Sequence, residues 1–254
     1  MSSVLQLQQG RTLVVTINRP ERRNAVDRET AADLAAAFKD FENDRELDVA
    51  ILAGTGTTFC AGADLKALAD GRGNRIVADG DGPMGPTRLE MSKPVIAAVE
   101  GHCVAGGLEL AIWCDLRVAS ETAIFGVYCR RFGVPLVDGG TVRLPRLIGH
   151  SRAMDMILTG RAVHAEEAHR FGLANRVVPA GAALPEALEL ADQISGFPQL
   201  CMRGDRRSVL EQWGLNESSA MENEMTHGLA TVNSGETLRG ATRFSEGQGR
   251  HGGF

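Results

Sequence analysis

The stretch PVIAAVEGHCVAGGLELAIWCDLRVAS, residues 94–120, carries the strongest fold signal in the chain. It opens with PVIAAVEG, a continuous apolar run closed by glycine, which predicts a strand buried on both faces. GLELAIWCD then predicts a buried helix, and LRVAS predicts a further strand. A strand, a helix and a strand in this order indicate a largely parallel sheet with helices on its faces, which is the α/β class.

The same alternation begins earlier in the chain. Residues 4–7 and 12–17 are short aliphatic runs joined by a glycine turn, which predicts a β-hairpin. Asp27 is placed to cap a helix that runs to about residue 43, and VAILAG at residues 49–54 predicts another buried strand. The predicted helix has one apolar stripe, formed by Ala31, Leu34, Ala35, Phe38 and Phe41.

The composition limits the possible partners and compartments. The chain has 254 residues, of which 43% are hydrophobic and 23% charged, and its formal net charge is -5. It has no overall basic field, so we expect no nucleic-acid partner. No segment approaches the ~18 apolar residues of a membrane span, and the N-terminus lacks the pattern of a secretory signal. Five cysteines without a C-x-x-C pair indicate reduced thiols, and we expect a soluble cytoplasmic protein with no membrane partner.

Two glycine-containing loops follow predicted buried strands and are candidates for ligand binding. They are TGTTFCAGADLK at residues 55–66 and GHCVAGGLEL at residues 101–110. In each, a turn of small residues leads into a predicted helix, so free backbone N–H groups would face a ligand, and two such ends could form an oxyanion hole. Neither loop has the spacing of a P-loop or of a dinucleotide fingerprint. The glycines can equally serve only the backbone geometry of the turns.

Glu109 is an acid inside an apolar run, three residues after Gly106. Burial among leucine, isoleucine and tryptophan side chains should raise its pKa, which suits a group that takes and gives protons near neutral pH. The alternative is a glutamate that interacts with the N–H groups at the start of its own helix. The local sequence leaves both interpretations open.

A segment dense in glycine, aspartate and proline occupies residues 69–94. Its part from Asp70 to Pro86 has no periodicity that would predict a helix or a strand. It is either a mobile surface loop or a lid that shapes a substrate pocket.

Four segments together resemble the crotonase, or enoyl-CoA hydratase/isomerase, superfamily. They are RTLVVTINRPERRNAVD at residues 11–27, FCAGADLK at 59–66, KPVIAAVEGHCVAGGLELAIWCDLRVAS at 93–120 and GGTVRLPRLIG at 139–149. Their order is that of the family. The resemblance implies an α/β fold of ββα units wound into a spiral, followed by C-terminal helices that build homotrimers or dimers of trimers.

The C-terminal part of the chain fits this expectation. From residue 144 onward the pattern is mainly helical, and a last amphipathic stretch covers residues 216–231. The resemblance implies a spiral core with the CoA and acyl sites at residues 1–190. It implies a helical trimerisation region, within the same domain, at residues 191–254.

The resemblance also assigns roles to residues of the glycine-containing loops. Ala63 and Gly106 match the two backbone N–H donors to the thioester oxygen, and Glu109 matches the first catalytic glutamate of the hydratases. The expected coenzyme A contacts are Arg22 and Ala25 in the N-terminal loop, Ala63, Asp64, Leu65 and Lys66, and Gly106. For the side chains of Arg22 and Lys66, a solvated surface is the alternative. Coenzyme A is expected as part of the thioester substrate, with no tightly bound cofactor and no metal.

One position departs from the hydratase pattern. In FGVYCRRFGVPLVDGGTVRL, residues 125–144, Cys129 stands where the family has its second catalytic glutamate. A thiol with an ordinary pKa of about 8.5 can exchange a proton but is a weaker partner than a carboxyl, and it can also be a small apolar filler. Asp138 lies within about one residue of acids used in the isomerase and naphthoate synthase branches, which makes it another candidate. It can also simply stabilise the Asp-Gly-Gly turn.

The sequence therefore predicts an enoyl-CoA hydratase-like enzyme that acts on the C2–C3 region of a fatty or related acyl-CoA thioester. Proton transfer beside the thioester carbonyl places negative charge on its oxygen, which two preorganised dipoles stabilise. Hydration uses two acids, whereas moving a double bond needs one. An isomerase, or another reaction of the superfamily, that uses Glu109 alone is thus one alternative. A non-catalytic acyl-CoA-binding subunit is another.

Overall fold

The structure, a computed structural model, describes residues 2–249, and the chain divides into two compact units after Asp192. The strands are β1 (Val4–Gln9), β2 (Thr12–Ile17), β3 (Val49–Gly54), β4 (Val95–Val99), β5 (His102–Val104), β6 (Leu116–Ser120), β7 (Ile124–Gly126), β8 (Val163–His164) and β9 (Arg176–Val178). The α-helices of the first unit are α1 (Arg28–Asn43), α2 (Leu65–Ala69), α3 (Gly106–Trp113), α4 (Gly140–Ile148), α5 (His150–Thr159) and α6 (Ala165–Phe171). Helix α7 (Ala183–Ser195) crosses the division, and the second unit contains α8 (Gln199–Glu211), α9 (Glu217–Asn233) and α10 (Glu236–Ser245).

Six strands form the main sheet in the order β1-β2-β3-β4-β6-β9. Strands β1 and β2 are antiparallel, with Val4 opposite Ile17 and Gln9 opposite Thr12. The predicted hairpin is therefore confirmed, and its first strand is longer than expected. The remaining neighbours in this sheet are parallel. Strands β3 and β4 are buried along almost their whole length, as their unbroken apolar sequences predict.

A second sheet of three strands has the order β5-β7-β8. Strand β5 lies in a stretch that was expected to be a turn, so the chain forms a second strand between β4 and α3. Strand β6 is likewise followed by β7. Each of these pairs contributes one strand to each sheet. This is the ββα arrangement that the family resemblance implies, and the predicted fold class is confirmed.

Helix α1 begins and ends where the sequence predicts. The Asp27 carboxylate caps it by accepting hydrogen bonds from the Thr30 N–H at 3.0 Å and from the Thr30 hydroxyl at 2.7 Å. The whole predicted apolar stripe is buried. In contrast, β8 and β9 lie in a region that the sequence predicts to be helical. The sequence does not reveal these strands, because two or three residues are too few to show a period.

In the second unit, the predicted amphipathic stretch forms α9. Asn216 caps this helix by accepting a hydrogen bond from the Ser219 N–H at 3.0 Å. Within residues 2–249, none of the helices combines the length and the apolar character that crossing a membrane requires. All five cysteines lie in this range, and their thiols are free.

Helix α3, which carries Glu109, is buried from Gly106 to Ile112, and its C-terminal end is held by Arg117. The Arg117 side chain is itself buried. Its guanidinium donates hydrogen bonds to the carbonyls of Cys114 at 2.8 Å and Leu173 at 2.6 Å, and to that of Ala111 at 3.4 Å. A cation against the last carbonyls of a helix complements the helix dipole. The orientation of α3 therefore depends on this side chain.

We predict that Arg117→Met lowers the free energy of unfolding by about 3 to 5 kcal/mol, because several buried carbonyls lose their donor at once. Urea denaturation at a fixed protein concentration measures this change. Arg45→Met, at an exposed position, serves as the matched control and should stay within about 0.5 kcal/mol of the wild type. A loss below about 1 kcal/mol for Arg117→Met would mean that α3 does not depend on this guanidinium.

Candidate active site

A cavity of about 110 Å³ in the first unit brings together the five residues predicted to be catalytic. Its wall includes Ala63, Gly106, Glu109, Cys129 and Asp138. These residues come from the loop before α2, the start of α3, a 3-10 turn, and the turn before α4. The rest of the wall is largely apolar, as is usual for pockets that bind small molecules.

The Ala63 N–H is oriented by a short parallel bridge to Val26. The Val26 N–H donates to the Gly62 carbonyl at 2.8 Å, and the Asp64 N–H donates to the Val26 carbonyl at 2.9 Å. In a parallel bridge these two bonds use the groups that face the partner, so the Ala63 N–H points the other way. Among residues 2–249 we find no acceptor for it. The expectation that a helix end supplies this donor is wrong, because α2 begins only after its cap, Asp64.

The Gly106 N–H is the first of α3, where no preceding helical turn offers an acceptor. Within the described part of the chain it has no hydrogen-bond partner. Ala105 precedes it with φ +53° and ψ −126°, a conformation that is costly for a residue with a Cβ. The two loops approach closely because Gly62 has no side chain. A Cβ there would lie 2.8 Å from the Ala105 Cβ and 3.0 Å from the Gly106 nitrogen.

Glu109 is only 2% exposed, and its carboxylate is bound by a different segment of the chain. Its Oε1 accepts hydrogen bonds from the N–H of Asp138 at 2.9 Å and from the N–H of Gly140 at 2.8 Å. The alternative of a glutamate bound to the start of its own helix is therefore not what the structure contains. Burial raises the pKa of Glu109 to about 7, and the negative charge of Asp138 acts in the same direction.

Asp138 is 3% exposed and binds outside its own turn. Its Oδ1 accepts a hydrogen bond from the Met84 N–H at 2.9 Å and another from the Thr87 hydroxyl. Burial raises the pKa of this carboxyl, although the Thr87 hydroxyl and the Met84 N–H act in the opposite direction. The Arg143 guanidinium donates to the Asp138 carbonyl at 2.9 Å and to the Thr87 carbonyl at 2.8 Å.

The second oxygen of each carboxylate, Glu109 Oε2 and Asp138 Oδ2, accepts no hydrogen bond within residues 2–249. The buried side-chain oxygens that lack a partner in this range belong to Ser195 and Gln199. Glu109 Oε2 and Asp138 Oδ2 are not among these buried atoms, so both remain partly exposed. Since both residues line the cavity, these oxygens are the groups available to a ligand.

Cys129 lies in the 3-10 turn Tyr128–Phe132 and is buried. Burial, together with the negative charge of Glu109, raises the pKa of the Cys129 thiol above its ordinary value. The side chain is consequently a neutral thiol at physiological pH. It lines the same cavity as Glu109.

The residues predicted to contact coenzyme A are only partly brought together. Arg22 and Lys66 line a separate surface cavity of about 340 Å³, which also contains Arg19 and Arg72. Asp64 lines that cavity too, but its carboxylate caps α2 and pairs with the Arg19 guanidinium at 3.1 Å. Leu65 lines the 110 Å³ cavity instead, and Ala25 is in neither wall.

Sequence reasoning missed the supporting residues Met84, Thr87 and Arg143. Met84 and Thr87 lie more than 50 residues before Asp138, so no local spacing signals them. Arg143 is only five residues after Asp138, but its bond goes to a backbone carbonyl and has no side-chain pattern that marks it. The segment in which Met84 and Thr87 lie was expected to be either a surface loop or a lid. Asn74, Ile76, Pro83 and Met84 of this segment line the 110 Å³ cavity, which favours the lid.

Comparisons with known proteins agree on one family. A family model described as enoyl-CoA hydratase/isomerase matches residues 8–251. The enoyl-CoA hydratase EchA19 of Mycobacterium tuberculosis is 38% identical over 244 residues, which cover 93% of this chain and 91% of that protein. The carnitinyl-CoA dehydratase of Proteus mirabilis is 39% identical over 205 residues, 80% of this chain and 78% of that one. The crystal structure of enoyl-CoA hydratase EchA1 from Mycobacterium marinum has a TM-score of 0.91, 38% identity and 96% coverage of both chains.

We predict that Glu109→Gln stabilises the protein at high pH. Glutamine keeps an oxygen that can accept both N–H bonds, but it avoids the burial of a charge. Because the pKa of about 7 in the folded protein lies above the unfolded value of 4.5, folding favours the protonated form. The wild type therefore loses stability as pH rises from about 4.5 to 7, by about 3 kcal/mol in total.

The gain from Glu109→Gln should reach about that size at pH 8 and vanish below pH ~4.5, as measured by urea denaturation across this range. Glu166→Gln, at an exposed position on α6, controls for a general effect of removing a carboxylate. A difference between Glu109→Gln and wild type that does not change with pH would contradict the raised pKa.

Proposed function

The chain belongs to the enoyl-CoA hydratase/isomerase family, and we propose that it interconverts 2-enoyl-CoA and 3-hydroxyacyl-CoA with Glu109 and Asp138 as its two proton carriers. It is an enoyl-CoA hydratase-like enzyme that acts on acyl-CoA. One observation carries the finer proposal: the same cavity holds two buried carboxyls and two backbone N–H groups for which residues 2–249 offer no acceptor.

The two N–H groups, of Ala63 and Gly106, are proposed to bind the thioester oxygen. Removal of a proton from C2 spreads negative charge onto this oxygen, so donors placed in advance stabilise the transition state more than the ground state. The loss of one such donor typically costs about 3 to 4 kcal/mol of activation free energy. The close approach of the two loops at Gly62 supports a joint role.

The two carboxyls divide the proton transfers. In the dehydration direction, the ionised Asp138 removes the proton from C2, and the protonated Glu109 gives its proton to the C3 hydroxyl. The C2–H and C3–O bonds break, the double bond forms and water leaves, after which the proton returns from Asp138 to Glu109. The pKa of about 7 suits Glu109 as the acid, while Asp138 starts from a lower ordinary value. Hydration is the reverse of these steps.

Cys129 is not a proton carrier in this scheme. Burial raises the pKa of its thiol, which makes proton release less favourable than from a carboxyl. Asp138 takes the role that the second glutamate has in the family's hydratases. The names of the relatives, hydratases and a dehydratase, support the addition and removal of water.

The coenzyme A portion is proposed to lie along Ala63 to Lys66, past Gly106 and toward Arg22. Beside Arg19 and Arg72, which are paired with carboxylates, two further cationic side chains line the surface cavity at this end, those of Arg22 and Lys66. They are suited to the phosphates of coenzyme A, because guanidinium groups form charge-assisted hydrogen bonds with phosphate. No other cofactor is required by the proposed reaction.

Isomerisation of a 3-enoyl-CoA by Glu109 alone is the second candidate. It is supported by Cys129, which stands where the family's hydratases have their second glutamate and whose thiol pKa is raised by burial. A proton shuttled between C2 and C4 needs one carboxyl only. The two candidates differ in whether Asp138 is essential and in which substrate is consumed.

We predict that the purified protein removes the conjugated absorbance of crotonyl-CoA and that Glu109→Gln and Asp138→Asn each lower kcat about 10²- to 10⁴-fold. Both substitutions keep the shape of the side chain and abolish its ionisation. The matched controls are Glu166→Gln and Asp40→Asn, which change exposed carboxylates outside the cavity. Initial rates at several pH values measure the effect.

Three results would overturn this assignment. Asp138→Asn with wild-type turnover, together with loss of activity in Cys129→Ser, would make the thiol the second carrier. Turnover of a 3-enoyl-CoA that depends on Glu109 but not on Asp138 would establish the isomerase. Binding of acyl-CoA without turnover on either substrate would establish a non-catalytic subunit.

We also propose a homotrimer or a dimer of trimers in the cytoplasm. The second unit exposes many large apolar side chains on α8, α9 and α10. They include Val209, Met221, Met225, Leu229, Val232 and Leu238, which are 51% to 73% exposed. Monomers seldom expose so much apolar surface without a partner, which supports burial against other copies of the chain. The five free thiols support a reducing compartment.

If the chain forms this oligomer, light scattering coupled to gel filtration should give a mass of three or six times the chain mass of 27.1 kDa. Leu238→Glu, which places a charge on the exposed apolar surface, should shift the distribution toward smaller species. Glu246→Asp keeps both size and charge similar at an exposed position and is the control. A wild-type mass near that of one chain would contradict the oligomer.

A further inference from the structure

The 82–87 segment supplies two hydrogen bonds to the carboxylate of Asp138. It forms a tight turn in which the Gly85 N–H donates to the Gly82 carbonyl at 2.8 Å. The Met84 N–H and the Thr87 hydroxyl both donate to Asp138 Oδ1. A segment of the proposed lid thus binds directly to a proposed proton carrier.

The 82–87 segment is closely packed against its surroundings, both at Gly82 and around the Met84 side chain. A Cβ at Gly82 would lie 1.9 Å from the Thr87 hydroxyl oxygen and 2.9 Å from Asp138 Oδ1. The Met84 side chain packs on the other side, where a Cβ at Gly106 would lie 2.7 Å from its sulfur. The segment therefore contacts both the carboxyl and one of the proposed N–H donors.

The preceding residues of the lid are less tightly enclosed. Asn74 and Ile76 line the proposed catalytic cavity and also a second cavity of about 470 Å³, which is bounded by Arg28 and Ala31 on α1. These residues have open space on two sides. The hydrogen bonds from residues 82–87 to Asp138 thus hold this part of the lid beside the site.

The charges around Asp138 do not replace the Thr87 hydroxyl. Arg143 binds the carbonyls of Asp138 and Thr87 rather than the carboxylate, and Arg88 donates to the Val77 carbonyl at 2.7 Å. Glu109, when it is ionised, places a like charge beside the Asp138 carboxylate and opposes its ionisation. Among the described residues, Thr87 supplies the one side-chain hydrogen bond to the Asp138 carboxylate.

We propose that Thr87 is a positioning residue for proton transfer: its hydroxyl holds Oδ1 of Asp138, so that Oδ2 is the oxygen presented to C2 of the acyl group. This inference rests on the proposed function of Asp138. A hydroxyl that donates to a carboxylate also stabilises its ionised form. Loss of the hydroxyl would let the carboxyl rotate and would keep it protonated to higher pH.

The test is Thr87→Val, which preserves shape and removes the hydroxyl, compared with Thr87→Ser, which retains it. In the dehydration direction, Thr87→Val should lower kcat about 10- to 100-fold at pH 7 and move the acid limb of the kcat profile upward by about one pH unit. KM should change less than threefold. Thr87→Ser should recover most of the rate and the original limb.

A second variant reaches the same hydrogen bond from the opposite side. Gly82→Ala introduces a Cβ into the space of the Thr87 hydroxyl and should shift the acid limb in the same direction as Thr87→Val. Circular dichroism and thermal unfolding identify any variant that fails to fold. If Thr87→Val folds poorly, Gly82→Ala decides the question.

The inference and the proposed function fail in different ways. Wild-type turnover in Asp138→Asn would remove Asp138 from the reaction and the inference with it. If Asp138→Asn is inactive while Thr87→Val keeps the wild-type pH profile, only the role of Thr87 is wrong. Equal losses in Thr87→Val and Thr87→Ser, with an unshifted acid limb, would show a packing role and would also overturn it.

Discussion

The site depends on one buried carboxylate whose hydrogen-bond donors come from another segment. Glu109 Oε1 is held by the N–H groups of Asp138 and Gly140. A carboxylate taken from water without donors costs several kcal/mol, so α3 and the turn before α4 must meet for this arrangement to be stable. A Cβ at Gly140 would lie 2.9 Å from Oε1, which is why this position needs glycine. The same contact brings the Asp138 carboxyl to the cavity.

Several costs to stability are concentrated at the start of α3. Burial of Glu109 raises its pKa to about 7, and Ala105 has an unfavourable positive φ. The Ala105 N–H donates to the Gly126 carbonyl at 2.9 Å, which helps hold this conformation. Such costs persist where the surrounding fold compensates them, and they cluster at functional sites. Arg117 and the strand pairs provide that support from the opposite end of the helix.

Local signals predicted much of this architecture, whereas contacts between distant residues could not be predicted. The Asp27 cap and the spacing of Glu109 from Gly106 each depend on residues only a few positions apart in the chain, so the sequence predicts them. Thr87 and Asp138 are 51 residues apart, and no periodicity in the sequence predicts their hydrogen bond. The sequence predicts that a helix end supplies the free N–H groups of residues 55–66, because a short turn before an apparent helix looks the same whether a helix or a bridge directs the N–H. Only the bridge to Val26 distinguishes the two.

The thiol of Cys129 and the carboxyl of Glu109 are linked by electrostatics. The charge of Glu109 already raises the pKa of Cys129, which places the two side chains within reach of each other's field. A glutamate at 129 would be a third acid in a cavity where Glu109 and Asp138 are both harder to ionise than usual. Like charges at short range oppose further ionisation, so a third carboxyl would stay protonated or disturb the pair. A neutral thiol keeps the number of acids in the cavity at two.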